Sequence, residues 1–290
     1  MSEIALLNKK IEDLELVVQF KNNEILKYQN ELKKISHTLD LLLYQSEQDV
    51  EKLNQIQQVI VPSDLPQFPG FEISRKFVYG TKQGGDYFDL YSHPDKMKFS
   101  LLLSSSTSYT MSAALLSVIL QSSSELEGRA GQSIDQAIQT ITLELNKITS
   151  GQDESHLMIG QFDRRDMSFK FCCFGDIGCY FQDTNQKNLQ ILTFKRMQSS
   201  LKKENAPIKA RFQQIELKPS QRLCFISKGL LEILSDQDIN DILKTDHVAS
   251  VHQIRNQILV RAQLKSGLEQ PHKDQTVIII ELKENMVRLA

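Results

Sequence analysis

The first sixty residues of this 290-residue chain follow a heptad repeat. They contain neither glycine nor proline, so nothing in the segment interrupts a helix. Of the twelve a and d positions from Ile4 to Leu42, eleven are apolar or aromatic, and Lys21 is the exception. A narrow seam of this length predicts a coiled coil, because a helix that packs on its own domain carries a wider stripe with a period of about 3.6 residues. Packing within a single chain is the alternative.

The composition of the seam favours a parallel two-stranded assembly. β-Branched residues occupy the first four a positions and leucine occupies the first two d positions, which is typical of parallel dimers. The apolar seam residues are Ile4, Leu7, Ile11, Leu14, Val18, Ile25, Tyr28, Leu32, Ile35, Leu39 and Leu42. In a parallel homodimer Lys10 and Glu15 would pair across the helices at g and the following e. The seam breaks at Ser46 and Asp49, where either a hinge or a helix re-aimed onto the next domain would fit.

Charge and composition restrict the class of protein. The chain has 36 acidic and 34 basic residues, a net charge of −2, which argues against a strongly basic nucleic-acid binder. Its 40% apolar and 24% charged content suits a folded globular protein. Four cysteines without Cys-x-x-Cys spacing are expected to be buried, reduced thiols. With no signal-peptide pattern and no long apolar run, we expect a soluble cytoplasmic protein that binds neither nucleic acid nor membrane.

The pattern changes after Pro62, Pro66 and Pro69, which together with Gly70 end the helical region. Short β-like runs then alternate with helical stretches. The runs are FEISRKFVYG, KFSLLLS, SFKFCCF, LQILTF, RLCFIS and TVIIIEL, and the helical stretches are 111–127, 132–149, 229–244 and 247–265. We therefore predict two parts, a coiled-coil dimerisation helix over 1–60 and an α+β or α/β domain over 61–290.

Ordered motifs of the second part suggest a family. IQQVIVP at 56–62, followed by GGDYFDLY at 84–91, resembles the start of the PPM (protein phosphatase 2C-like) domain of the stage II sporulation protein E type. MSAALLSVIL at 111–120 looks like the helix that follows the family's Asp-x-Ser-Gly-His-Gly motif. The segment 217–233 looks like the region of its Thr-Asp-Gly motif, and 272–282 looks like its closing Asp-Asp-x-Thr strand.

This resemblance carries expectations for fold and chemistry. It implies an α+β fold in which two antiparallel β-sheets form a sandwich flanked by α-helices. In the family, carboxylates between the sheets hold two Mg²⁺ or Mn²⁺ ions, and a bridging water attacks phosphoserine or phosphothreonine. Several acidic residues are needed there because hard divalent cations take oxygen ligands and two such ions must be neutralised in one pocket.

Matched residue by residue, the family's metal ligands are mostly missing. Asp86 corresponds to the first ligand and Asp274 to the second acid of the closing pair, so both are expected to be vestigial metal ligands. Ser105 stands at the aspartate of the Asp-x-Ser-Gly-His-Gly motif. Lys228 replaces the aspartate of Thr-Asp-Gly, and Lys273 replaces the first acid of the closing pair. The resemblance thus indicates degenerate ligand positions at Ser105, Lys228 and Lys273, and no catalytic residue.

Three functions remain open from the sequence. The first is a dimeric pseudophosphatase without a metal cofactor, which binds a regulatory protein of a phosphorylation or partner-switching pathway. The second is an active or weakly active phosphoserine/phosphothreonine phosphatase that uses Mg²⁺ or Mn²⁺. The third is a coiled-coil scaffold with an inert globular cap.

Two hypotheses for the role of Asp86 are open. An aspartate after Gly-Gly is often a turn residue that accepts backbone N–H groups. With the family resemblance, we instead hypothesise that the ammonium of Lys228 or Lys273 occupies the former metal position and pairs with Asp86. Such a pairing would let the fold close without a metal, because an unpaired buried carboxylate is costly.

Overall fold

The structure is a computed structural model of the chain, and it divides the chain into two compact units, Met1–Lys52 and Leu53–Ala290. The described residues are 2–60, 66–81, 85–106, 133–148, 154–183, 191–194, 199–201, 210–245 and 249–283. The division at residue 60 that the sequence suggests stays a prediction.

Helix α1, Ser2–Ile60, is 59 residues long and runs without interruption past Ser46 and Asp49. Its apolar side chains between Leu7 and Tyr44 are exposed: Leu14 by 61%, for example, and Leu32 by 65%. Among the described residues, no helix has the length and hydropathy that a membrane crossing requires. The coiled coil and the dimer therefore stay predictions.

Ten strands and four further helices make up the described part of the second unit. The strands are β1 Phe71–Val78, β2 Asp86–Ser92, β3 Lys98–Ser106, β4 Ser155–Asp163, β5 Ser168–Phe174, β6 Gly178–Asp183, β7 Ile191–Phe194, β8 Gln213–Glu216, β9 Gln221–Ile226 and β10 Gln275–Leu282. The helices are α2 Ile134–Ile148, α3 Lys228–Leu231, α4 Asp236–Thr245 and α5 Val251–Ser266.

The strands form two five-stranded sheets. One has the order β1-β10-β9-β6-β7 and the other the order β2-β3-β4-β5-β8, and every neighbouring pair is antiparallel. Sheets with flanking helices confirm the expected α+β class and exclude the α/β alternative, which would need parallel strands.

A phenylalanine stack runs through the core of the second sheet. Register places Phe99, Phe162 and Phe169 directly opposite one another on β3, β4 and β5. Their rings stack with centroid distances of 4.4 Å and 4.2 Å. Phe169 also meets Phe225 of the other sheet edge-on at 5.7 Å, so the stack ties the two layers together.

Strand β10 explains how the helices attach. Alternate residues of a strand point to opposite faces. Ile278 and Ile280 belong to the core shared with the second sheet, whereas Val277 and Ile279 belong to a separate apolar cluster with helices α3, α4 and α5. The continuous apolar run TVIIIEL therefore marks a strand buried on both faces.

Most of the predicted elements of the second unit are confirmed. The predicted stretch 132–149 corresponds to α2 and 247–265 to α5. The stretch predicted as one helix over 229–244 is two helices, α3 and α4, separated by a turn at residues 232–235. The helix predicted over 111–127 lies outside the described residues.

Candidate functional site

Strand register brings three polar residues into one row at the end of the second sheet. Asp86 opens β2 and lies opposite Ser105 of β3, which in turn lies opposite His156 of β4. All three are at most 5% exposed. From the other sheet, Thr276 of β10 and Ser227, just after β9, reach the same place. The candidate site therefore lies where both sheets contribute strand ends.

Asp86 is a buried carboxyl group surrounded by hydroxyls. Its Oδ2 accepts a hydrogen bond from Thr276 Oγ1 at 2.8 Å, and the hydroxyls of Ser105 and Ser227 also bond to it. Burial, followed by the charge of Asp274, raises the pKa of Asp86 to about 7, although the hydroxyl bonds lower it. The carboxyl therefore keeps its proton to a higher pH than an exposed aspartate does.

The carboxylate of Asp274 accepts hydrogen bonds from backbone N–H groups around the site. Its Oδ1 accepts the N–H of Gly80 at 2.7 Å, and its Oδ2 accepts the N–H groups of Gly85 and Asp86 at 2.9 and 3.3 Å. These bonds hold the segment after β1 and the start of β2 against the start of β10. Both carboxylate oxygens are thus used in cross-linking three segments of the chain.

A glycine permits the close approach of the chain at this point. A Cβ on Gly229 would lie 2.0 Å from the carbonyl oxygen of Asp274, closer than any side chain tolerates. Gly229 is the glycine of the Ser-Lys-Gly sequence at 227–229, and its missing side chain lets this segment lie against the backbone of Asp274.

Lys228 lies beside a histidine that the sequence did not predict as part of the site. Its Nζ lies 3.0 Å from Nε2 of His156, and Nδ1 of that ring accepts the backbone N–H of Asp176 at 2.9 Å. Gly175, at a φ of 69°, makes room for the ring, because a Cβ there would lie 2.2 Å from Nδ1. Burial and then the Lys228 charge lower the pKa of His156 to about 4, so the imidazole is neutral at neutral pH.

No motif in the sequence marks His156. It lies in the apolar run HLMIGQF, and only the pairing of β3 with β4 brings it beside Ser105. Once the strand is known, His156 is notable because it is the one ionisable residue at the buried end of that strand. Sequence alone does not give the register that makes this informative.

The hypothesis that a lysine ammonium pairs with Asp86 is wrong in this structure. The Nζ of Lys228 lies 3.0 Å from Nε2 of His156, and the Nζ of Lys273 bonds to Glu232 at 2.7 Å in a surface ion pair. Asp86 is satisfied by hydroxyl groups instead. Asp86 is the first residue of strand β2, and the turn alternative involves residues 82–84, which lie outside the described residues.

The donor set does not fit a two-metal centre. Two carboxylates, Asp86 and Asp274, come together here, and both oxygens of Asp274 already accept backbone N–H groups. Within the described ranges, no group of three or more His, Cys, Asp or Glu side chains is arranged to hold a metal ion. The remainder of the family-like Asp-x-Ser-Gly-His-Gly segment, residues 107–110, lies outside those ranges.

The chain was compared with known proteins by sequence and by structure. No protein-family model matches the chain, and no curated protein does. Solved structures do. RsbX in complex with magnesium is similar with a TM-score of 0.60 and 14% identity, over 76% of this chain and 99% of that one. The SiaA-PP2C domain of Pseudomonas aeruginosa gives a TM-score of 0.63 and 14% identity, over 82% and 97%.

A third neighbour is the PP2C phosphatase domain, with a fragment of the regulatory domain, of SpoIIE from Bacillus subtilis. It is similar with a TM-score of 0.58 and 17% identity, over 75% of this chain and 65% of that one. The chain has the fold of bacterial PP2C-type phosphatase domains. The structural similarity establishes the sandwich fold. Because the sequence identities are this low, the chemistry of the site has to be argued from its own residues.

Proposed function

We propose that this protein is a pseudophosphatase, a dimeric signalling or protein-binding module built on a PP2C-type sandwich. The observation that carries the proposal is Lys228, whose amine lies against the buried, neutral His156 where the family resemblance expects a metal-binding aspartate. A protein-binding role requires the fold of the domain but not a bound metal ion.

The charge change at the site supports this proposal. Lysine for aspartate at 228 makes the site two formal charges more positive, and Ser105 for aspartate adds a third, whereas Lys273 lies in a surface ion pair with Glu232. At an effective dielectric constant of about 20, two like charges 4 Å apart repel by about 4 kcal/mol. Such a site is a poor host for a divalent cation.

The alternative is a phosphatase that retains one metal ion. Two buried carboxylates close enough to raise the pKa of Asp86 favour it, because a cation would relieve their repulsion. Asp86 and Asp274 would hold Mg²⁺ or Mn²⁺, and the ion would activate water for attack on a phosphate ester.

Calorimetric titration with Mn²⁺ and a Mn²⁺-dependent phosphatase assay on the full chain separate these readings. The pseudophosphatase shows neither heat of binding at millimolar Mn²⁺ nor turnover. Turnover that is lost in Asp86→Ala would establish the enzyme instead.

A second pair of variants tests the role of Lys228. We expect Lys228→Asp to strengthen Mn²⁺ binding measurably, because it supplies the missing carboxylate. Lys228→Asn is the matched control, since it removes the amine without adding an acid. If both variants bind Mn²⁺ as weakly as the parent chain, position 228 is not a former ligand position.

The dimer is proposed to form through the a/d seam of α1. Ile25 at an a position and Leu26 beside it are 52% and 57% exposed, so exposure alone does not distinguish them. A parallel dimer buries Ile25 and leaves Leu26 outside. Light scattering should therefore show Ile25→Glu as a smaller species and Leu26→Glu unchanged, whereas equal behaviour of the two variants would contradict the seam.

The third reading, a coiled-coil scaffold with an inert cap, is separated by where the partner binds. We propose that the partner is a regulatory protein of a phosphorylation or partner-switching pathway. If Lys228→Glu abolishes capture of that protein by the full chain and Ile25→Glu does not, the globular unit is the binding module. The opposite result would show that α1 binds the partner.

A further inference from the structure

Helix α1 carries apolar residues that the a/d seam does not use. Leu16, Val17 and Phe20 fall at heptad positions f, g and c, and they are 64%, 54% and 62% exposed. We call these three the first outer patch. Leu41 and Tyr44, at c and f, are 51% and 59% exposed and form the second outer patch. Positions c and f face away from the partner in a two-stranded coiled coil, so the proposed dimer leaves both patches in water.

Exposed clusters of this kind need an explanation. Single apolar residues on a surface are ordinary, whereas a grouped set that repeats on one face indicates a contact. The two outer patches lie on the same face in the heptad frame, and Val17 and Leu41 are about 36 Å apart at 1.5 Å per residue. A partner must therefore offer two apolar patches at that same spacing.

The charges between the patches select the partner and its direction. Along this face the sequence places Glu24, Lys27, Glu31 and Lys34 in alternating sign. A second α1 that lies antiparallel, with its two-fold axis near Gln29, brings Glu24 opposite Lys34 and Lys27 opposite Glu31. A parallel copy in register would instead place like charges side by side, which is unfavourable.

The same antiparallel alignment matches the apolar patches. With the axis near Gln29, Val17 faces Leu41, and Phe20 and Tyr44 fall within one turn of that contact. Glu24 accepts a hydrogen bond from Lys21 of its own helix at 2.7 Å, but that pair is exposed and its exchange for an intermolecular pair costs little. Apolar and charged positions thus agree on one register.

We infer that the outer face of α1 binds the outer face of a second α1 in antiparallel orientation, so that dimers of this chain associate side by side. The inference rests on the proposed seam dimer for its higher-order form. Each dimer carries the face twice, once on each helix and on opposite sides. The association is therefore open, and the mass grows with concentration instead of stopping at a tetramer.

Sedimentation velocity of the full chain over a wide concentration series tests the association. The parent chain should show species above the dimer that increase with concentration. Phe20→Glu should remove them and leave the dimer, whereas Gln19→Glu, which adds the same charge one residue away on another face, should not. Glutamate favours a helix at least as well as phenylalanine, so loss of helix does not explain such a result.

Cross-linking tests the orientation. In the full chain, Val17→Cys combined with Leu41→Cys should cross-link between molecules with a short thiol-specific reagent, and each single variant should not. Two such cysteines in one helix are too far apart to react together, and a parallel contact would cross-link the single variants instead. The four native cysteines are free and buried, so they give little background.

The outcomes separate this inference from the seam dimer. A parent chain that stays dimeric at every concentration, with Phe20→Glu unchanged in mass, overturns the outer-face contact and leaves the dimer intact. In Ile25→Glu, which lacks the seam, the Val17→Cys, Leu41→Cys pair should still cross-link. A Phe20→Glu variant that is altered in unfolding and unaltered in mass would place the patch against its own chain, which also overturns the inference.

Discussion

Phe20 and Phe169 show how differently the two units of the chain are stabilised. Phe20 on α1 is 62% exposed, whereas Phe169 on β5 is fully buried between Phe162, Phe171 and Phe225. The sandwich is complete within one chain, because its strands and helices cover each other's apolar faces. The apolar side chains of α1 between Leu7 and Tyr44 are exposed, so the stability of this part of the helix depends on what binds it.

The largest effect should come from the same truncation made in both units. Phe169→Ala removes a ring from the centre of the stack and should lower the free energy of unfolding of the sandwich by about 3–5 kcal/mol. Phe20→Ala should change it by less than about 0.5 kcal/mol. Urea denaturation followed by tyrosine fluorescence measures both, and equal losses would show that the two units fold as one.

Ion pairs should sharpen the contrast with a somewhat smaller effect. Arg222 and Glu281 form an ion pair between β9 and β10, and both side chains are more than nine-tenths buried. Glu281→Gln removes the carboxylate charge from this buried pair and should lower the free energy of unfolding by about 3 kcal/mol. Glu24→Gln breaks the exposed pair with Lys21 and should cost about 0.5 kcal/mol or less. Chemical denaturation of the two variants compares them, and a cost for Glu281→Gln no larger than that for Glu24→Gln would be the contrary result.

In the parent chain the smallest effect concerns pH, because two buried groups oppose each other. The pKa of Asp86 is raised to about 7, so the folded state holds a proton that the unfolded chain has lost, and stability falls as pH rises from about 4 to about 7. The pKa of His156 is lowered to about 4, so stability rises with pH between about 4 and 6.5. Between those limits the two contributions largely cancel.

Two variants expose each contribution separately. In Asp86→Asn only the histidine term remains, and stability should rise from pH 4 to 6.5. In His156→Asn only the carboxyl term remains, and stability should fall from pH 4 to 7, each by at most about 1.4 kcal/mol per pH unit. Glu31→Gln on α1 should leave the profile of the parent chain unchanged. Melting temperatures across this range provide the measurement, and identical profiles in all three variants would contradict the assigned pKa shifts.

Much of the fold could be predicted from local sequence. The runs SFKFCCF and TVIIIEL predict β5 and β10, because strands of a buried sandwich are short, apolar and rich in β-branched or aromatic residues. The split of the predicted helix 229–244 was not visible, since Ser235 and Asp238 sit inside an otherwise helical pattern. In the structure they form a cap, in which the Ser235 N–H and hydroxyl both bond to Asp238 Oδ2.

The candidate site was predicted in part. Asp86, Ser105, Lys228 and Asp274 do meet at the strand ends. The partners of the two lysines were wrong. The directions of long, flexible side chains depend on neighbours such as His156 and Glu232, which lie far from them along the chain.

The sequence by itself determined the heptad pattern of the first sixty residues and the mixture of strands and helices in the second domain, because both are written in residue type and short-range spacing. Only the tertiary structure decided that Asp86 bonds to Thr276, 190 residues away, and that Lys228 lies beside His156. Such pairs follow from strand register and sheet packing, which depend on the whole set of long-range contacts and not on any local pattern.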